Sequence, residues 1–128
     1  MIQTYFNQLE AAFAQFTAVS FVLESAIHLE PRPGNQGYVY GTVVFTDQSR
    51  FFFREYLDVA AGKIEKLMYT YHYQDAANQL LFRYDNAQHK PALLFLEHKH
   101  IGDTDIIQAD APVLSEVLLE IAQMREWV

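Results

Sequence analysis

The stretch YVYGTVVFTDQSRFFFREYLDV, residues 38–59, decides the fold. Both of its halves are rich in β-branched and aromatic residues, which suit a pleated, half-buried surface. TDQS between them is a turn, so the halves are expected to pair as antiparallel strands. Upstream, PRPGNQG (residues 31–37) carries two prolines and two glycines, which end a strand and suit a hairpin loop. Before it, from Val19, the hydrophobic period is two, with Phe21, Leu23, Ser25, Ile27 and Leu29 on one face and Glu24 and His28 on the other. At the start of the chain Ile2, Tyr5, Phe6, Leu9, Phe13 and Phe16 recur at helical spacing and predict an amphipathic helix whose aromatic stripe is core.

Downstream, AAGK supplies another turn, and KIEKLMYTYHYQD (residues 63–75) sets Tyr69, Tyr71 and Tyr73 on one face and Met68, Thr70 and His72 on the other. DAANQ closes that hairpin, with Asp75 and Asn78 as side-chain partners of the turn backbone. A fifth strand spans residues 79–85, in which Leu80, Phe82 and Tyr84 alternate with Leu81, Arg83 and Asp85. After Asn86 the pattern fades, Pro91 interrupts any ladder, and a connection is expected to run to about Asp110. In the last segment Val113, Leu114, Val117, Leu118, Ile121 and Met124 have helical spacing, with Pro112 in the first turn and Asp110 as N-cap. The expectation is one α+β domain over residues 1–128: a five-stranded antiparallel meander with the N- and C-terminal helices packed on one face.

The composition fits a folded domain. With 51% apolar and 15% aromatic residues in 128, the chain is globular and should bury roughly two-thirds of its unfolded surface. No apolar run reaches membrane-spanning length and the N-terminus lacks a basic signal region, so a cytoplasmic location without membrane contact is expected. The absence of cysteine excludes disulfides, thiolate catalysis and cysteine-ligated zinc. A net charge of −7 argues against a wholly basic nucleic-acid-binding surface. Residues 48–101 nevertheless hold seven Lys/Arg against six acidic residues, while the remainder holds two against ten. Acidic ends around a near-neutral, histidine-bearing middle suit a confined site, and the ends could also dock a basic partner.

The middle holds the residues that could carry chemistry. Arg83 and Asp85 project from one face of the fifth strand, Asn86 ends it, and His89 follows three residues later. In EHKHIGD, His98 and His100 point to one side of an extended chain and Lys99 to the other. Imidazoles titrate near neutral pH and can serve as general base and acid, and an arginine can stabilise a phosphorane-like charge. Such a set cleaves RNA without a metal, its 2′-hydroxyl being the internal nucleophile. Two other readings compete. Arg83 and Asp85 could simply pair in a loop region that collects histidines, or His98 and His100 with His89 or Asp103 could hold zinc. Neither a zinc spacing nor a cofactor-binding motif is matched. His72, between Tyr71 and Tyr73, reads as a hydrogen-bonded structural histidine in a supporting role.

YHYQD (residues 71–75), FRYDNA (residues 82–87), His89 with Pro91, HKH (residues 98–100) and Gly102-Asp103 together resemble the TumE-type toxin family of bacterial toxin–antitoxin modules. The resemblance covers residues 64–103 closely and the flanks in layout. It implies a small cytoplasmic protein encoded beside a cognate DNA-binding antitoxin that suppresses it by direct contact. Family members often carry a paired histidine where this chain has Gln88-His89, and another where it has Glu97. The resulting expectation is a toxin with a catalytic group of Arg83, Asp85, Asn86, His89, His98 and His100 that cleaves RNA with no cofactor and no metal. The alternative is a non-catalytic protein- or nucleic-acid-binding module that inhibits by occupying its target.

Overall fold

A computed structural model describes residues 1–87 and 96–128 of the chain. Helix α1 spans Ile2–Thr17, and the strands follow as β1 Val22–Arg32, β2 Gln36–Phe45, β3 Arg50–Ala60, β4 Lys63–Gln74, β5 Leu80–Asp85, β6 His98–Ile101 and β7 Asp105–Gln108, before helix α2, Leu114–Met124. Among the described residues the strands form one open antiparallel sheet in sequential order, and it has seven strands where five were expected. The two added strands are four residues each: β6, HKHI, is mostly polar, and β7, DIIQ, is exposed throughout. Neither shows the apolar alternation by which a strand is recognised. The long connection expected up to Asp110 is therefore partly sheet. The loop expected around Pro91, and His89 within it, lie outside the described residues.

The sheet has one covered and one open face because its strands alternate. Val39, Val43, Phe45, Phe51, Phe53, Leu57, Tyr69, Tyr71, Tyr73 and Phe82 are buried in one cluster with Phe6, Leu9 and Phe13 of α1 and Val117, Leu118 and Ile121 of α2. Gly37 permits this approach, since a Cβ there would meet the Phe6 ring at 2.9 Å. The tyrosine stripe of β4 is core, and its hydroxyls all find partners. Tyr73 donates to Ser49 Oγ at 2.7 Å and Tyr69 to Glu97 Oε2 at 3.1 Å. Tyr71 donates to Glu55, a carboxylate with no solvent exposure that also accepts from Tyr5 at 2.6 Å and faces Lys66 Nζ at 3.5 Å. Burial first, and the Glu55 charge second, push the Tyr5 and Tyr71 hydroxyls well above their ordinary range, so both remain donors.

One local expectation changes, and one strand carries an irregularity that the sequence did not signal. Helix α2 begins at Leu114 with Val113 as N-cap, so Asp110 and Pro112 lie before it. Its first turn is held by Glu116, whose carboxylate accepts the Val113 N–H at 3.0 Å. Strand β4 carries a bulge: Tyr56 faces Met68 while Leu57 faces Lys66, leaving Leu67 unpaired in the ladder.

Candidate functional site

The open face positions the site through strand register. Arg83 on β5 lies opposite His72 on β4 and His100 on β6, and Asp85 lies opposite Thr70 and His98. Directly opposed residues share a face, so all six side chains project from the side of the sheet that the helices leave uncovered. Four of the six residues expected at the site, Arg83, Asp85, His98 and His100, are thus on adjacent strands. His89 lies outside the described residues.

Asp85 is the centre of this group and is only 5% exposed. Its Oδ1 accepts the Ala87 N–H at 3.1 Å and lies 2.7 Å from His98 Nε2, while Oδ2 lies 3.8 Å from His100 Nε2. His98 has no exposure, and its Nδ1 is 2.6 Å from the carbonyl oxygen of Leu96. Both of its ring nitrogens therefore face acceptors, which fixes the ring plane. The His98 and His100 rings meet edge to face at 4.9 Å. One ligand atom from each of Asp85, His98 and His100 falls within 4.8 Å of the others, a spacing that could hold a metal ion. Asp103, the other acidic ligand considered for such an ion, lies in the exposed turn after β6.

Arg83 does not pair with Asp85. Its Nε donates to His72 Nδ1 at 3.1 Å, and His72 Nε2 is 2.9 Å from Gln74 Oε1. His72 is thus an Nε2–H tautomer that accepts from arginine and donates to an amide. Burial lowers its pKa and the Arg83 charge lowers it further, against the opposing effect of the hydrogen bond that it donates to Gln74 Oε1. A neutral imidazole is what this arrangement requires. His72 therefore orients Arg83, and no carboxylate pairs with Arg83 among the described residues.

Asn86 serves the backbone. Its Oδ1 accepts from the Tyr69 N–H and its Nδ2 donates to the Leu67 carbonyl, both at 3.1 Å, so it stitches the β4 bulge to the end of β5. Lys99 points to the covered face, donates to Glu120 Oε2 at 2.6 Å and lies 4.8 Å from the Tyr84 ring centre.

From Asp85, Arg83 and His72 a cleft of about 470 Å³ runs across the open face past Thr70, Arg54 and Phe52 to Tyr38 and Tyr40. The residues beyond His72 formed no part of the site expected from sequence. Their signal was the alternation itself: Tyr38 and Tyr40 share a face with Thr42, and Phe52 and Arg54 with Arg50 and Tyr56.

A two-layer α+β protein with a polar, histidine-bearing group on the face of its sheet away from the helices is the class that fold and site define. The family model described as toxin TumE matches residues 10–127, and the chain belongs to that toxin family. Searches of curated proteins and of solved structures give no match. No helix among the described residues is long and apolar enough to cross a membrane.

Proposed function

We propose that this protein is the toxin of a toxin–antitoxin module and that it cleaves RNA at the Arg83–Asp85–His98–His100 group. The observation that carries this reading is the junction of β5 and β6, where an oriented arginine without a carboxylate partner among the described residues lies opposite His100, beside Asp85. An arginine so held can bind a phosphodiester through its terminal nitrogens and stabilise the charge that builds on phosphorus. His100, at the solvent edge with 17% of its side chain exposed, is the imidazole placed to take the proton of a 2′-hydroxyl. Attack of that oxygen on phosphorus would give a cyclic phosphate and expel the 5′ oxygen, which needs a proton in turn. His98 is held between two acceptors and acts through Asp85 as a positioning residue. His89 is assigned the acid role from its place in the sequence alone. Membership of the toxin family supports a partner antitoxin that silences the site by contact. That antitoxin is proposed to bind DNA, and the pair to act in the cytoplasm.

The test is cleavage of a labelled RNA by the purified protein in excess chelator. Cleavage that persists, yields cyclic-phosphate ends and falls roughly 10²- to 10⁴-fold in His100→Ala supports the reading. A second reading draws on the convergence of Asp85, His98 and His100 within 4.8 Å. His98 bonds a carbonyl through Nδ1 and turns Nε2 inward, as metal-ligating histidines do. Activity abolished by chelator and restored by a divalent ion would favour that one.

A further inference from the structure

The open face carries a second feature beyond the histidine group, a row of exposed aromatic rings. Tyr40 is 43% exposed, Tyr56 38% and Phe52 37%. The Tyr38 ring is 4.6 Å from Tyr56 across the β2–β3 pair and 5.5 Å from Tyr40 along β2, and His28 continues the row at 4.8 Å from Tyr40. Exposed aromatics gathered on one face mark a binding surface more often than scattered ones do. The charge on this face is also unlike that of the whole. By register it holds four of the five arginines (Arg32, Arg50, Arg54 and Arg83) beside Glu24, Glu30, Asp58, Glu65 and Asp85, so in a chain of net charge −7 this face is close to balanced and rich in arginine. Arg32 pairs with Glu30 at 3.4 Å, whereas no ion pair holds Arg50, Arg54 or Arg83 among the described residues. Rings that offer flat π faces, interleaved with arginines lacking carboxylate partners, match the two repeating groups of an unpaired nucleic-acid strand, its bases and its phosphates.

We propose that this face binds single-stranded RNA, with bases stacked on Tyr38, Tyr40, Tyr56 and Phe52 and the backbone led along Arg54 and Arg83 to the Asp85–His100 group. The inference rests on the RNA reading of the site and specifies its substrate. A duplex is excluded by the same geometry, because paired bases bury the faces that the rings need. The continuous cleft from Tyr38 to Asp85 is the track that joins binding to chemistry.

The test is fluorescence polarisation with a short labelled 2′-O-methyl oligonucleotide, which lacks the internal nucleophile and reports binding without cleavage. Tyr56→Ala and Tyr38→Ala should each weaken binding by roughly five- to a hundred-fold, whereas Tyr56→Phe keeps most of the affinity because a phenyl face also stacks. Arg54→Ala should lower the slope of log affinity against log salt by about 0.7. The hybridised duplex of the same oligonucleotide should bind far more weakly than the single strand. Unchanged single-strand affinity in both alanine variants overturns the proposal. So does an unchanged affinity for the oligonucleotide with lost antitoxin binding, which would make the face a protein-docking surface. His100→Ala separates the two readings: if unmodified RNA is not cut by the wild-type protein while the ring-dependent binding holds in both, the catalytic reading fails and the platform stands.

Discussion

Replacing Asp85 by Asn tests whether the group at the β5–β6 junction is a buried, ordered unit. The carboxylate is 5% exposed and the imidazole it faces at 2.7 Å has no exposure, so solvent screens the pair little. The amide in Asp85→Asn would keep one acceptor for the Ala87 N–H or for His98, and it would lose the charge that strengthens both bonds. A charge-assisted hydrogen bond of this kind contributes about 1.5–3 kcal/mol, and leaving its buried partner poorly matched adds about 1 kcal/mol more. The expected loss is therefore about 2.5–4 kcal/mol. Against a total stability of about 5–15 kcal/mol and with a urea slope of about 2 kcal/mol/M, the unfolding midpoint should fall by roughly 1–2 M. Urea titration followed by circular dichroism measures it. A double-mutant cycle with His98→Asn should return a coupling of about 1 kcal/mol or more. A loss below about 0.5 kcal/mol, with no coupling, would class the pair with exposed ion pairs and refute the burial argument.

Two further predictions concern titration. His72 has its pKa lowered below 6.5 by burial and by the Arg83 charge, so its contribution to stability is fully present above pH 6.5 and is lost as pH falls through the folded-state value. In His72→Gln, urea midpoints should depend less on pH below 6.5 than in the wild type, and equal slopes would contradict the assignment. The Tyr71 hydroxyl is raised above its ordinary 10.0 by burial and by Glu55, so its contribution is present below pH 10.0 and lost as pH rises beyond it. Tyr71→Phe should cost about 1–3 kcal/mol at neutral pH, because Glu55 loses a donor, and should flatten the alkaline loss. An undiminished alkaline loss would place that titration elsewhere.

How much of this was legible in the sequence depends on which forces act locally. The meander through β1 to β5 follows from alternation and turn residues, and so do the core tyrosines of β4, because strand period and turn chemistry are read within a few residues. Strands β6 and β7 were missed for a reason tied to the site. The residues of β6 on the same side as Arg83 and Asp85 are His98 and His100, and a strand that presents imidazoles to a carboxylate does not show an apolar stripe. His72 was legible as a hydrogen-bonded histidine, but its arginine partner was not, and neither were the backbone partners of Asn86, because both lie on a neighbouring strand. Asn86 bonds the backbone of residues 17 and 19 positions earlier, and His72 meets an arginine 11 positions later. Glu55 lay hidden in a run of aromatics, and only the fold brings Tyr5, Tyr71 and Lys66 around it. The aromatic row on the open face combines rings from two strands, so register and not composition reveals it.

The central claim is that Arg83 and His100 carry the toxic activity. It is tested most directly by expressing Arg83→Ala and His100→Ala in cells and scoring growth arrest beside antitoxin capture by the same purified variants. Both lie on the sheet surface and outside the buried cluster, so the variants should fold. The account predicts that each abolishes growth arrest and leaves antitoxin binding within about threefold of wild type. Full toxicity in both folded variants would contradict it.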